Sequence, residues 1–231
     1  MRFEAKYLLD RFSYHRVVND LRGLARRDHH GDGFAGGRYP VRSLYFDTVN
    51  YTAYVEKMAG VTLRNKLRLR SYGQQRHQFP FIKVEQKQRH GRFIHKLVTK
   101  ADISQYDRFM ESGRWGETDD GLLQDFEKMV RIKNLKPMVL VAYEREAWSA
   151  KDGSGVRLSF DHDVRYGRCK CLFDTTTRLR KDLANRIVFE IKASRDDIGW
   201  VNRLVQRQDL GPVPNSKYVN GIDHTSQAIW V

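Results

Sequence analysis

Residues 66–70 read KLRLR, so three cations alternate with two leucines. A period of two is typical of a β-strand, and it places the leucines on one face and Lys66, Arg68 and Arg70 on the other. Arginine binds phosphate oxygens as a planar fork, and lysine binds them as a compact point charge. Because a row of like charges repels itself, we expect the fold to hold an anion against this face. The segment therefore predicts a strand whose polar face binds phosphate groups.

The same alternation recurs in other strand-like segments of the chain. A single strand of this kind is typical of a half-exposed sheet, but the polar faces taken together are mostly cationic with a few carboxylates. A closed barrel lined by them is a cationic tunnel, unstable when empty and stable around a phosphate chain and divalent metal ions. The polar faces consist of Arg2, Glu4 and Lys6; Lys83, Glu85 and Lys87; Arg92, Ile94 and Lys96; Tyr143 and Arg145; Arg157, Ser159 and Asp161; and Glu190 and Lys192.

The overall charge also indicates an anionic partner. The 231 residues include 42 Lys and Arg against 28 Asp and Glu, which leaves a formal net charge of +14. This excess favours nucleic acid, acidic lipid, a nucleotide or polyphosphate as the partner, and charge alone does not choose among them. A composition that is 40% hydrophobic is typical of a globular protein, and we interpret residues 1–231 as a single domain.

Several features predict a soluble cytoplasmic protein. No apolar run approaches the length of a membrane span, and the first residues, MRFEAKYLLDRF, lack the apolar region of a signal peptide. Cys169 and Cys171 are two apart in a strand-like segment, so an ordinary disulfide between them is not expected. We therefore predict two reduced thiols.

Strand patterns outnumber helical ones along the chain. The expected fold is α+β, with an antiparallel β-barrel or strongly curled sheet and flanking helices. Ser13 is a plausible N-cap for the first helix, and PNSKYVNG at 214–221 is predicted to be a loop. The predicted strands are 2–9, 39–47, 61–73, 79–89, 91–99, 138–148, 155–166 and 186–194, and the predicted helices are 14–26, 103–111, 121–132 and 200–208.

Two nucleotide-binding signatures are excluded by context. A GxGxxG pattern runs from Gly31 to Gly36, but it follows a predicted helix and precedes a strand, whereas a dinucleotide fingerprint follows a strand and opens a helix. His29 and His30 in the same loop are expected to be solvated rather than bound to a metal. The sequence also lacks the Walker A pattern GxxxxGK[ST], which excludes an ordinary P-loop kinase.

Eight short motifs occur in a fixed order along nearly the whole chain, from Phe3 to Tyr218: RFEAKY, SLYFDT, GVTLRNKLRLRSYG, VEQK, AYERE, VRLSFD, FEIK and SKY. Together they resemble the VTC domain, the polyphosphate polymerase branch of the CYTH-like triphosphate tunnel metalloenzymes. This resemblance implies an antiparallel barrel that forms a triphosphate tunnel. It further implies transfer of the γ-phosphoryl group of ATP to a growing polyphosphate chain, with Mn²⁺ or Mg²⁺ as cofactor and ADP as product.

The resemblance and the polar faces together assign roles to individual residues. One departure is that the wider superfamily begins with two alternating glutamates and a lysine, whereas the first of these positions is Arg2 here. This resembles the polymerase branch and leaves fewer carboxylates for a second metal ion. The assigned residues are Arg68, Arg70, Lys87, Arg145 and Arg157 for catalysis; Lys6, Lys66, Lys96, Tyr143, Lys192, Ser216 and Lys217 for phosphate binding; and Glu190 for the metal, with Glu4 and Glu85 as further candidate ligands.

Alternatives within and outside this family stay open. A hydrolase of the same fold would cleave inorganic or nucleoside triphosphates, and a non-catalytic module would only bind polyphosphate. Nucleic acid is disfavoured as a partner because the RNP consensus is missing and the prominent aromatic residues mostly fall at apolar positions instead of on the basic face. These aromatic residues include Phe79, Phe81, Phe160 and Phe189. The expected partners are ATP and inorganic polyphosphate. A membrane protein partner, with association to the inner face of the membrane through it, is a further possibility.

Overall fold

The computed structural model describes residues 3–91, 93–182, 185–194 and 199–225, where the chain forms an α+β fold. Arg2 and Arg92 lie outside the described residues. The strands are β1 (Phe3–Leu9), β2 (Ala25–Arg27), β3 (Tyr39–Asp47), β4 (Leu63–Ser71), β5 (Phe81–His90), β6 (Phe93–Asp102), β7 (Lys136–Ala150), β8 (Arg157–Gly167), β9 (Arg180–Lys181) and β10 (Ile187–Ala193). The α-helices are α1 (Arg11–Leu24), α2 (Thr52–Met58), α3 (Ile103–Ser112), α4 (Gly121–Ile132), α5 (Gly199–Arg207) and α6 (Lys217–His224).

The strands form a sheet with antiparallel pairing. The hydrogen-bonded order is β1-β10-β8-β7-β3-β4-β5-β6, with β2 on β7 and β9 on β8. The predicted α+β class and antiparallel sheet are therefore confirmed. The predicted closed barrel is not confirmed, because over the described residues this order ends at β1 and β6 and no strand pairing joins these two ends.

The chain divides into two compact units, and the long strands β3, β7 and β8 contribute residues to both. The interpretation of residues 1–231 as a single domain stays a prediction. Unit 1 consists of Met1–Pro40, Tyr143–Val164 and Lys181–Ser216, and unit 2 consists of Val41–Ala142, Arg165–Arg180 and Lys217–Val231.

In unit 1, helix α1 packs on one face of β1, β8 and β10. Val17 and Leu21 of α1 are buried in the same apolar cluster as Phe160 and Phe189, whose rings stack with their centroids 4.6 Å apart. Because successive residues of a strand point to opposite faces, this core leaves the charged positions of the three strands on the other face. The predicted apolar positions of Phe160 and Phe189 are confirmed. Phe81 of β5 is instead half-buried on the face of Lys83, with Nζ of Lys100 4.3 Å from the centre of its ring.

In unit 2, helices α3 and α4 pack on the apolar face of β3 to β6. Leu67 and Leu69 are buried in this core with aromatic residues of the helical segment. Phe109 and Trp115 stack with their ring centroids 4.1 Å apart, and Phe126 lies edge-on to Trp115 at 5.9 Å. The leucines of KLRLR therefore anchor β4 to a core, and the cations between them lie on the opposite face.

Two predictions about helices were wrong. The first helix begins at Arg11 instead of Tyr14, because the carboxylate of Asp10, and not Ser13, caps it by accepting the backbone N–H of Ser13 at 2.7 Å. The segment predicted as a loop at 214–221 contains most of α6. Its asparagine and glycine favour a loop locally, but its apolar side chains are buried on one side of the helix.

Across the described ranges, no helix combines the length and the apolarity that crossing a membrane requires. Cys169 and Cys171 are free thiols, as predicted, and burial raises the pKa of the Cys169 thiol to about 11.

Candidate functional site

Polar side chains of unit 1 gather on the face of the sheet opposite to α1. The antiparallel register aligns the polar positions of β1, β10 and β8 in two rows across the strands, and β7 contributes further members. The structure thus brings together predicted residues that are far apart in the sequence. We call this group the β10 cluster, and its members are Lys6, Glu190 and Ser159 in one row; Glu4, Lys192 and Arg157 in the other; and Tyr143, Arg145 and Asp161 beside them.

Arg145 is fixed by a two-point contact with Asp161. The guanidinium Nε and Nη2 atoms donate to the two carboxylate oxygens of Asp161 at 2.7 and 2.9 Å, and Asp161 is fully buried. The guanidinium carbon also lies 5.2 Å from the centre of the Tyr143 ring. Burial alone would lower the pKa of Arg145, but the charge of Asp161 outweighs it and raises the pKa well above its ordinary value. Arg145 therefore remains a rigidly placed cation.

Glu190 lies among cations and beside a second carboxylate-bearing strand. One of its oxygens is 2.9 Å from Nζ of Lys192, and the other is 3.8 Å from Nη2 of Arg145. On β1, an oxygen of Glu4 is 3.6 Å from Nζ of Lys6. Glu4 and Glu190 share one face of neighbouring strands, and carboxylate oxygens are the ligands that Mg²⁺ and Mn²⁺ prefer. The donor set of the β10 cluster therefore fits a divalent metal ion.

Unit 2 carries a second group of predicted residues, on the face of the sheet opposite to its apolar core. The pairing of β3, β4, β5 and β6 aligns cations in rows across the strands, with one carboxylate among them. We call this group the β4 cluster, and its rows are Tyr45, Arg68 and Glu85; Lys66, Lys87 and Lys96; and Ser43, Arg70 and Lys83.

Glu85 is the buried counter-ion of the β4 cluster, with 2% of its surface exposed. Arg68 donates to its carboxylate, and Nη1 of Arg70 and Nζ of Lys96 lie 3.8 and 3.2 Å from it. Burial alone would raise the pKa of Glu85, but the charges of Arg68, Arg70 and Lys96 outweigh it and hold the pKa far below its ordinary value. Glu85 is therefore ionised, and its surroundings favour the role of a counter-ion.

Two residues of the β4 cluster have pKa values near neutrality. Burial lowers the pKa of Lys66 to about 8, and its ammonium group lies 5.0 Å from the centre of the Tyr218 ring. Burial raises the pKa of Tyr45, but the charges of Arg68 and Arg70 outweigh it and lower the pKa to about 8. The hydroxyl of Tyr45 accepts a hydrogen bond from Arg68 at 3.0 Å. Both groups can therefore change charge at mildly alkaline pH.

Four predicted residues lie less centrally. Lys87 and Arg157 are on the predicted faces of β5 and β8, but both are exposed. Lys217 is the first residue of α6 in unit 2, and Ser216 precedes it in unit 1; both are half-buried. The roles assigned to these four residues stay predictions, as do the roles of the other site residues.

Asp47 is a buried polar residue to which the sequence reasoning gave no role. Its carboxylate accepts the backbone N–H groups of Ala53 at 2.9 Å and Tyr54 at 3.2 Å, at the start of α2. It also accepts the hydroxyl of Tyr218 in α6. Burial raises the pKa of Tyr218, and Asp47 adds to the shift, so the hydroxyl stays protonated as a donor. This contact thus joins the SLYFDT and SKY motifs. The feature of the sequence that could have indicated it is an aspartate at the end of an apolar strand.

Asp28, His29 and His30 form a third group of possible metal ligands, with ligand atoms within 4.8 Å of one another. Nδ1 of His29 lies 3.1 Å from a carboxylate oxygen of Asp28. The side chains of His29 and His30 are 82% and 61% exposed, as predicted for a solvated loop. Exposed histidines that contact an aspartate next to them in the sequence are typical of carboxylate–imidazole hydrogen bonding at a surface.

The chain combines an antiparallel α+β fold with two cationic clusters, and comparison with known families specifies its class. The model of the VTC domain matches residues 1–225. The chain therefore belongs to the VTC domain family, and the resemblance derived from the motifs is confirmed. Membership in this family supports triphosphate processing as the class of activity. A search of curated proteins finds no match.

Solved structures resemble the chain over nearly its full length. A protein from Bacillus halodurans proposed to be an adenylate cyclase is 14% identical, with a TM-score of 0.59, and the match covers 97% of this chain and 96% of that one. The PH1819 protein from Pyrococcus horikoshii OT3 is 11% identical with a TM-score of 0.49, covering 97% of this chain and 99% of that one. At this identity the first similarity shows a shared fold.

Proposed function

We propose that this chain is a polyphosphate polymerase that transfers the γ-phosphoryl group of ATP to a growing inorganic polyphosphate chain and releases ADP. The observation that carries the proposal is the β4 cluster, where six lysine and arginine side chains share one face with the carboxylate of Glu85. This surplus of positive charge favours a ligand with several negative charges in a row. Polyphosphate and the triphosphate of ATP are such ligands.

The transfer needs positioning and charge stabilisation more than covalent help from the protein. A terminal phosphate oxygen of the acceptor chain forms a bond to the γ-phosphorus of ATP. The bond from this phosphorus to the oxygen that bridges to the β-phosphate breaks, and its electron pair leaves with ADP. The acceptor is already ionised at neutral pH, so a strong general base is unnecessary. The arginines of the β4 cluster would supply forked donors for phosphate oxygens.

The cofactor of the proposed reaction is Mn²⁺ or Mg²⁺. Glu190 and Glu4 of the β10 cluster would hold the ion, and a bound divalent ion neutralises part of the charge of the phosphate oxygens. Arg145 would keep phosphate oxygens in place from a fixed position, because Asp161 holds its guanidinium. Glu85 as a metal ligand stays a prediction, and the three cations around it favour a counter-ion.

The alternative functions share these clusters and differ in their products. A triphosphatase of the same fold would transfer the phosphoryl group to water, and a binding module would retain polyphosphate without turnover. Excluding water from the reacting phosphates favours transfer over hydrolysis. A membrane protein that receives the product is a further proposal for the partner, and it would place the chain at the inner face of a membrane.

The test is to incubate the purified chain with ATP and Mn²⁺ or Mg²⁺ and separate the products on a polyphosphate gel. We expect long-chain polyphosphate together with ADP, and about tenfold less of both from Arg68→Gln, since a charge-assisted contact is lost. The matched control Arg131→Gln, at an exposed position on α4, should equal the wild type. Orthophosphate as the main product would identify a hydrolase, and binding without any product would identify a binding module.

A further inference from the structure

Unit 1 contains a basic pocket outside the β10 cluster, with a volume of about 340 Å³. It is lined by helix α1, by β8, β9 and the start of β10, and by the segment before β3. Arginine, lysine and histidine make up most of its polar wall, against one aspartate. The lining residues are Arg11, Tyr14, His15, Arg38, His162, Asp163, Lys181, Asn185, Arg186 and Ile187.

The pocket lies on the other face of the strands that carry the β10 cluster. On β8, Asp161 contacts Arg145 in that cluster, whereas the next residue, His162, lies edge-on to the ring of Tyr14 from α1 at 5.0 Å. On β7, Glu146 follows Arg145 and accepts the hydroxyl of Tyr14 at 2.6 Å. Because successive strand residues point to opposite faces, His162 and Glu146 lie on the face opposite to Asp161 and Arg145.

The buried carboxylate beneath the pocket is balanced by its own partners. Glu146 is fully buried and accepts hydrogen bonds from Tyr14 and from Nε1 of Trp148, the latter at 2.9 Å. Arg27, Arg38 and His162 lie 3.2, 3.6 and 3.4 Å from it. Burial alone would raise the pKa of Glu146, but its hydrogen bonds and the charge of Arg27 lower it to about 2. Arg38 and His162 of the wall therefore contact Glu146, and the remaining cations of the wall are Arg11, Lys181 and Arg186.

The wall carries more cations than its one carboxylate can balance. Asp163 lies 3.1 Å from Nζ of Lys181, which pairs one acid with one base. Arg11 and Arg186 are exposed at the rim, and His15 is one helical turn after Arg11, on the same side of α1. A concave site of this size with forked arginine donors and imidazole groups suits an anion with oxygens in several directions.

We propose that this pocket binds a small anion that carries two or more phosphate groups, such as pyrophosphate. The site goes beyond the proposed polymerase reaction, because none of its lining residues belongs to either cluster. An anion with two phosphate groups carries more oxygens and more negative charge than a single carboxylate, so several cations of the wall can contact it at once. Binding here would tie α1 to β8 and β9 through one ligand.

The test is isothermal titration of the full chain with pyrophosphate in the absence of divalent metal. The variant Arg11→Gln/Arg186→Gln removes two exposed charges from the pocket and keeps polar side chains. The matched control Arg22→Gln/Arg26→Gln removes two exposed charges of unit 1 that do not line it. We expect the first variant to lose one class of pyrophosphate site, at least tenfold in affinity, and the control to stay within twofold of the wild type.

Equal weakening in both double variants would show a general charge effect and overturn the proposal, as would unchanged binding in the first. The result is separable from the polymerase assignment. Arg11→Gln/Arg186→Gln should retain the wild-type yield of polyphosphate from ATP, whereas Arg68→Gln should reduce that yield and keep the pocket's pyrophosphate site. If the wild type makes no polyphosphate and Arg11→Gln/Arg186→Gln still loses one pyrophosphate site, the pocket proposal is supported and the polymerase assignment is not.

Discussion

Glu190 and Glu85 are both buried carboxylates beside cations, and their neighbours give them different chemical roles. Glu85 forms ion pairs with Arg68, Arg70 and Lys96, and these three cations balance its charge. Glu190 shares its face with a second carboxylate, Glu4, on the adjacent strand. Lys192, Arg145 and Lys6 also lie beside these two carboxylates, so the distinction from Glu85 is that two carboxylates together offer the oxygen ligands that a divalent ion prefers.

Replacing Glu190 by glutamine should separate binding from turnover. The amide keeps the shape of the side chain but removes the charge that holds a metal ion. We expect triphosphate to bind at least as tightly without metal, since one repelling charge is gone. Metal-dependent release of ADP should fall by about 100-fold or more, because a bound ion supplies several kcal/mol of charge stabilisation. Titration calorimetry measures the affinity for triphosphate, and an ADP assay measures turnover. Near-normal turnover would exclude Glu190 as the metal ligand and leave Glu4 as the candidate.

Lys66 should make stability depend on pH in a defined direction. Burial lowers its pKa in the folded chain to about 8, below the ordinary lysine value. The unfolded chain therefore binds more protons between these two pKa values, and the contribution of Lys66 to the unfolding free energy rises with pH through this window. We expect the unfolding free energy of the wild type minus that of Lys66→Met, measured by urea unfolding, to be larger at about pH 10 than at about pH 7.

Tyr45 also titrates near pH 8, so the Lys66 comparison should be repeated in a Tyr45→Phe background. In the Tyr45→Phe background, the difference in unfolding free energy between the lysine and methionine forms should keep its sign and should still rise with pH. If this difference in unfolding free energy does not change with pH in either background, the pKa of Lys66 is not lowered in the folded chain.

At the scale of elements, the pair β7–β8 is held by a charged contact as well as by backbone hydrogen bonds. Arg145→Ala would leave Asp161 buried without its two-point partner, and such a change costs about 3–5 kcal/mol of unfolding free energy. Arg157→Ala, at an exposed position on β8, should change stability by less than about 0.5 kcal/mol. Urea unfolding of each variant measures the difference.

The double variant Arg145→Ala/Asp161→Ala provides the decisive comparison for this contact. We expect it to be more stable than Arg145→Ala, because the buried charge of Asp161, which has lost the guanidinium of Arg145, is removed. Additive losses from the two single variants would contradict a direct coupling between these side chains.

The elements themselves were predictable to different degrees. The strand at 39–47 and the helix at 121–132 agree with their predicted bounds, because apolar periodicity and local breakers define both. The helix α6 was missed, since its sequence favours a loop and its packing depends on the distant Asp47. The polar faces of both clusters followed from alternation alone. The contacts of Glu146 with Tyr14 and of Asp47 with Tyr218 did not, because sequence patterns do not show which distant residues meet.

At the scale of the whole molecule, a net charge of +14 destabilises the folded chain through self-repulsion. An anion that binds the folded state stabilises it by mass action. We expect triphosphate to raise the melting temperature more than sodium chloride at equal ionic strength, and Arg68→Gln to reduce the shift relative to Arg131→Gln. Equal shifts from both salts would indicate general screening without a phosphate site.

The central claim is that the chain transfers phosphoryl groups from ATP to phosphate instead of water. Phosphorus NMR of the wild-type chain with ATP and Mg²⁺ tests it most directly, because internal phosphates of a chain, ADP and orthophosphate give separate signals. The account predicts that the internal-phosphate signal grows in step with ADP while orthophosphate stays low. Orthophosphate growing in step with ADP, without an internal-phosphate signal, would contradict it.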